Sequence, residues 1–134
     1  MLLASKHKHE KIVWGLLAYA LGETMTPLEQ QAYLQEVKED PLTEIYLYRP
    51  SEQENFIGAM VVKFEKADQE GARDVLSISL LAVLPSYRNE GVGYEMFSLL
   101  KALYPHTLIQ GSLAMSELVK NWSVKYRQEQ SSDL

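Results

Sequence analysis

The run Val75 to Val83 narrows the possible folds more than any other stretch of this chain. Apart from Ser77 and Ser79 every position is apolar, so it lacks the alternation of a strand with one wet face. Such a strand belongs in the middle of a sheet with both faces covered. Pro85 ends it. After a bend, Arg88-Asn89-Glu90-Gly91-Val92-Gly93, the residues Val92, Met96, Leu99 and Leu103 fall on one face of a helix that stops near Tyr104-Pro105. A covered strand, a glycine bend and an amphipathic helix in succession point to an α/β domain.

The rest of the chain fits that frame. Met1 to Ser5 reads as a short first strand. From His9 to Leu21 the residues Ile12, Val13, Leu16, Leu17 and Ala20 recur at helical spacing, with Trp14 and Tyr19 on other faces, so this helix is expected to be covered on most sides. Gly22 stops it. Thr26-Pro27-Leu28-Glu29 is a capping box with proline in the first turn, opening a second helix to about Lys38 with Leu28, Tyr33 (or Ala32) and Val37 inward. Asp40-Pro41 breaks it. Glu44–Arg49 and Phe56–Phe64 form a hairpin around the polar turn 50–55, and Gly58 marks a bulge or a close approach. The charged loop 65–73 leads into Val75–Val83. Thr107–Gln110 is a short strand. Gly111-Ser112 opens a last helix with Met115, Leu118, Val119, Trp122 and Tyr126 as its apolar stripe, and 128–134 reads as a frayed tail. The order is β-α-α-β-β-β-α-β-α.

Composition removes several function classes. A length of 134 residues suits one domain, 1–134, since two would each lack a core. The formal charge of −5 argues against nucleic acid, although a local basic cluster could still hold one small anion. There are no cysteines, hence no disulfide, thiolate metal site or thiol nucleophile. His7 and His9 sit among Lys6, Lys8 and Lys11, a solvated basic patch rather than a metal site. No apolar run approaches the roughly 20 residues that span a bilayer, and Met1 to Ser5 is too short for a signal-peptide core. The expectation is a cytoplasmic protein with no membrane partner and no metal.

The glycine segment suits an anion. A helix N-terminus carries unsatisfied N–H donors and a partial positive charge, and phosphate oxygens answer both if the backbone can approach. Gly91 and Gly93 clear side chains from that approach, Arg88 can contact phosphate or brace the loop, and Asn89 supports the bend. A P-loop is excluded because Tyr94-Glu95, not Lys-Ser/Thr, follow Gly93. A dinucleotide fingerprint is excluded because Met96 stands where a third small residue belongs.

Val83, Pro85, Arg88, Gly91 and Gly93 match every named position of V-x-P-x-x-R-x-x-G-x-G, and the segment resembles motif A of the GNAT N-acetyltransferases. Ile57-Gly58 and the order of elements extend the resemblance over essentially the whole chain. The small size and the stretch Lys11–Leu17 further resemble the compact GNAT protein encoded in some bacterial riboflavin-biosynthesis operons. The resemblance implies a mixed, mostly antiparallel sheet flanked by helices, with Val75–Val83 and Thr107–Gln110 splayed apart. It implies acetyl-CoA as acyl donor, its pyrophosphate on the N–H groups of Asn89, Glu90, Gly91, Val92, Gly93 and Tyr94, with Arg88 beside it. The pantetheine arm would pair with the backbone of Leu81, Ala82 and Val83, and an N–H near Val83 would polarise the thioester carbonyl. An amine would then attack directly.

The catalytic residues are less legible. An alkyl ammonium titrates near about 10.4 and must lose a proton before attack. The family often places a carboxylate on the central strands; here only Ser77 and Ser79 occur, and Glu23, Glu44 and Glu65 remain equal alternatives. The family's motif B has an Asn after the fifth strand and a Tyr two turns later, where this chain has Gly111 and Leu118 or Val119. Tyr126 is the one candidate acid on that helix, though its spacing suits core packing, as does that of Tyr94 beside the loop. The resemblance builds the acceptor pocket from Leu21–Met25 and the Tyr46/Tyr48 strand, with Glu23 to attract an amine. Three readings follow: an N-acetyltransferase acting on a small-molecule or protein amine, a CoA-binding regulatory protein with little turnover, or a structural subunit. A homodimer through an exposed strand edge is compatible with each.

Overall fold

The strands β1 (Leu2–Ala4), β2 (Thr43–Tyr48), β3 (Gly58–Glu65), β4 (Val75–Val83) and β5 (Leu108–Gly111) form one sheet in chain order in the computed structural model, which describes residues 1–71 and 73–132. The first three pairings are antiparallel and the last, β4 with β5, is parallel. A parallel pair needs a crossover, and helix α3 (Val92–Leu103) supplies it. Helices α1 (Glu10–Leu21) and α2 (Pro27–Glu39) precede β2, and α4 (Ser116–Ser132) follows β5.

Side-chain alternation divides the interior in two. Leu47, Ala59, Val61 and Ala82 face α1 and α2, meeting Val13, Leu16, Leu17, Leu21 and Leu34. Tyr46, Tyr48, Met60, Val62, Leu76 and Ile78 face α3 and α4, meeting Met96, Phe97, Leu100 and Val119. Val75–Val83 is an interior strand beside the edge strand β5, with residues packed toward both faces, although its last residues floor an open cleft rather than being fully covered.

One residue breaks the alternation. Val62 pairs with Ile78 but Val61 pairs with Leu80, so Ser79 is a bulge in β4. Its Oγ donates to Val61 O at 3.2 Å, which holds the extra residue against β3. Beyond the bulge the parity is reversed: Ala82 now faces α1, and Leu81 and Val83 face α3 and α4.

Several sequence expectations need adjustment. The capping box of α2 is present, with Glu29 N–H donating to Thr26 Oγ1 at 3.2 Å and Thr26 N–H to Glu29 Oε1 at 3.0 Å. Leu28 is 76% exposed, and Leu34 is the buried residue of that helix. Leu28 stands about two and a half turns before Val37, on the opposite face. Trp14 and Tyr19 are exposed, so α1 is covered on one side only. In α3 the buried face is Val92, Met96, Phe97 and Leu100, while Leu103 is 52% exposed. The face turns toward Phe97 because α3 serves two partners, and Phe97 packs on Trp122 at 5.7 Å and on Tyr126 at 6.2 Å. Gly58 marks a close approach: a Cβ there would sit 2.9 Å from Met96 Sδ. Helix α4 starts at Ser116 rather than at Gly111-Ser112, and it runs through the supposed tail to Ser132; 133–134 lie outside the described residues. His9 is more than solvated, since its Nδ1 accepts the Lys6 N–H at 2.9 Å.

Burial, followed by the neighbouring Glu95 carboxylate, pushes the Tyr48 phenol up to about 12. Its neutral form is therefore favoured in the fold, so its contribution is complete below the unfolded value of about 10. That contribution is lost as pH rises through about 12. The urea midpoint should hold level to about pH 10 and then fall, and Tyr48→Phe should flatten the decline.

Candidate functional site

The start of α3 is built by two glycines with different tasks. Asn89 and Gly91 adopt left-handed conformations, φ +66° and +79°. A Cβ on Gly91 would meet open space, so Gly91 is required by its backbone angle. Gly93 is required by packing: a Cβ there would lie 3.0 Å from both Leu81 Cδ2 and Trp122 Cζ2. The turn leaves Val92, Gly93 and Tyr94 without intrahelical acceptors for their N–H groups; Glu95 donates to Gly91 O at 3.0 Å. The positive end of the helix dipole lies there too.

These donors open on a cleft of about 680 Å³. Leu81 and Val83 of β4 form its floor, the loop from Tyr87 to Tyr94 one wall, and Leu118, Asn121, Trp122 and Lys125 of α4 the other. Arg88 braces the loop, its Nε donating to Val83 O at 3.2 Å. Lys125 Nζ stands 4.2 Å over the Tyr94 ring, a cation held at the mouth. Burial, then the Glu129 carboxylate, raise the Tyr94 phenol pKa. The cleft lining offers donors and cations and no carboxylate among the described residues.

The floor also presents backbone. Pairing between β4 and β5 runs only from Val75–Leu108 to Ile78–Gly111, closed by Ser112 N–H on Ile78 O at 2.9 Å. Past the bulge, β4 is hydrogen-bonded on the β3 side alone. Leu84 N–H donates to Ile57 O on that side, so by alternation Ala82 faces β3 while Leu81 and Val83 turn their N–H groups to the open edge. Of the three β4 residues expected at the donor site, Ala82 is thus turned away by both backbone and side chain. Glu90 is exposed and outside the lining; Arg88, Asn89, Gly91, Val92, Gly93 and Tyr94 are brought together.

No protein-family model matches the chain. An uncharacterized N-acetyltransferase in the lysA 3′ region of Bacillus methanolicus is 30% identical over 106 residues, covering 78% of this chain and 80% of its own length. The chain belongs to the GNAT family of N-acetyltransferases. Solved structures share its fold: a probable acetyltransferase superposes with a TM-score of 0.71 at 14% identity, over 94% of this chain and 87% of its own. AAC(6′)-Iy, in complex with the bisubstrate analogue CoA-S-monomethyl-acetylneamine, superposes with a TM-score of 0.62 at 14% identity, over 96% and 87%. As an acetyltransferase by relationship and fold, this GNAT protein is an enzyme, and the binding module without turnover is not favoured.

Within the family frame, the departures from motif B have steric causes. A Cβ on Gly111 would lie 2.4 Å from Met115 O, because the turn into α4 doubles back on the end of β5, so an Asn has no room there. Leu118 lines the cleft where the family's Tyr would stand, and Val119 is buried. Tyr126 is not in the cleft; its ring meets Phe97 edge-on, the packing role that its spacing suited. Glu23 and Glu65 are exposed, and Glu44 is half-buried with its pKa raised by burial, lining a separate hollow between α1, α2 and β2. Tyr46 and Tyr48 are buried on the α3 side and wall no acceptor pocket with Leu21–Met25. The sequence reading missed Asn121 and Lys125, although their i, i+4 spacing beside Leu118 and Trp122 marks the cleft side of α4.

Gly91→Ala should lower stability by about 1 kcal/mol, the strain of a left-handed non-glycine residue, with Trp122 undisturbed. Gly93→Ala should instead displace Trp122 and shift its fluorescence. Equal spectra for the two variants would contradict the division of tasks.

Proposed function

We propose that this protein transfers an acetyl group from acetyl-CoA directly to a primary amine. The observation that carries the reading is the meeting of two features in one cleft, the uncapped N–H groups at the start of α3 and the unpaired edge of β4. The N–H groups of Val92, Gly93 and Tyr94 hold the pyrophosphate, with Lys125 adding positive charge from α4 to that of Arg88 in the loop. The open edge of Leu81 pairs with an amide of the pantetheine arm. The Val83 N–H, fixed because Arg88 holds the carbonyl of the same residue, is aimed at the thioester oxygen as charge develops there.

The amine nitrogen forms the new bond to the acetyl carbon, and the carbon–sulfur bond breaks. Among the described residues the cleft lining carries no carboxylate; the amine gives up its proton to water, and the thiolate departs into a mouth lined by Lys125. The bisubstrate complex of AAC(6′)-Iy supports CoA as the donor for this fold.

Calorimetric titration tests the donor. Saturable binding of acetyl-CoA is expected, about fivefold weaker in Lys125→Ala. Absence of heat at about 1 mM ligand, a binding free energy weaker than about −4 kcal/mol, would overturn the reading.

A further inference from the structure

Helix α1 makes its core contacts on one side, where Val13, Leu16, Leu17 and Leu21 are buried. Gly15 stands about 200° round the helix from Val13 and Leu17, at the middle of the face turned to water. A glycine inside a helix weakens it relative to alanine. No packing within the chain calls for one here, since a Cβ on Gly15 would meet no atom within 4 Å. Among the described residues it is the one glycine with neither a left-handed backbone nor a close neighbour. Its use points outside the single chain.

The surface around Gly15 is apolar at the centre and charged at the ends. Ile12, three residues before, and Tyr19, four residues after, lie on one flank, about 60° and 40° from Gly15. They are 42% and 46% exposed. Ala18 keeps the other flank low. Lys8, seven residues before Gly15, and Glu23, eight after, are exposed at the two ends of the helix. Neither joins an ion pair among the described residues.

Such a surface is complementary to itself. A twofold axis through Gly15 sets two copies of α1 antiparallel, so a residue before Gly15 in one protomer faces a residue about as far after it in its partner. Ile12 of each protomer then meets Tyr19 of the other, and Lys8 meets Glu23. Both contacts form twice. Gly15 falls at the crossing, where it lets the helix axes approach to about 8 Å. A parallel pairing would instead set lysine on lysine and glutamate on glutamate.

We propose that this face of α1 binds a second copy of the chain, as an antiparallel helix pair centred on Gly15. Two helices of 12 residues make a small interface, so the dimer is weak and depends on concentration. It uses a helix face and no strand edge. The donor cleft lies on the α3 side of the sheet and stays open in both protomers.

Sedimentation velocity on the full chain tests the pairing. The mass should rise from monomer toward dimer between about 10 and about 1,000 µM, with a midpoint of about 100 µM. Gly15→Gln places a longer side chain and a better helix former at the crossing, so the urea midpoint should hold or rise while association weakens about tenfold or more. Lys8→Glu and Glu23→Lys should each weaken association about fivefold, and the two together should restore it to within about twofold of the parent. A chain that stays monomeric across this range sinks the proposal. So does a dimer that tolerates Gly15→Gln, or a double reversal no tighter than the single ones.

Discussion

The whole arrangement depends on one surplus residue, Ser79, in β4. Without it, strict alternation would send the side chains of Leu81 and Val83 toward α1 and their backbone groups toward β3. With it, the lower half of β4 serves the sheet on both edges and the upper half serves it on one. The apolar floor of the cleft and its open backbone edge both follow from that reversal. The Ser79 hydroxyl bond to Val61 O holds the irregularity within the sheet.

The second constraint is the crowded turn at the start of α3. Gly91 supplies an angle, Gly93 supplies room for Trp122, and Arg88 ties the loop to the end of the strand it left. Because Trp122 also packs on Phe97, the wall of the cleft is continuous with the larger core. A ligand on that wall meets a preorganised surface rather than a loop that must be ordered on binding.

The fold and the glycine turn into α3 were largely legible in the sequence because they rest on local signals. Val75–Val83 announced a covered central strand, Thr26–Glu29 a helix start, and Val83 to Gly93 a strand-to-helix turn of one known kind. What was not legible depended on long-range geometry. No pattern in LSISLLAV reveals which residue bulges, so the opposed orientation of Ala82 from Leu81 and Val83 was hidden. Leu28 looked inward because helical spacing leaves the choice of face open until tertiary contacts decide it, and α3 turned toward Phe97 because α4 competes with the sheet for its surface. The polar tail became helix once α4 had α3 to lie against.

Helix α2 is attached more lightly than any other large element described here. Its burial in the core rests on Leu34, with Tyr33 and Val37 partly covered, and the ion pair that ties it to α1, Lys38 to Glu10 at 2.8 Å, is exposed to water. Surface pairs of that kind contribute little to stability. Few buried contacts have to be broken for α2 to open by itself, so its local opening costs less than global unfolding.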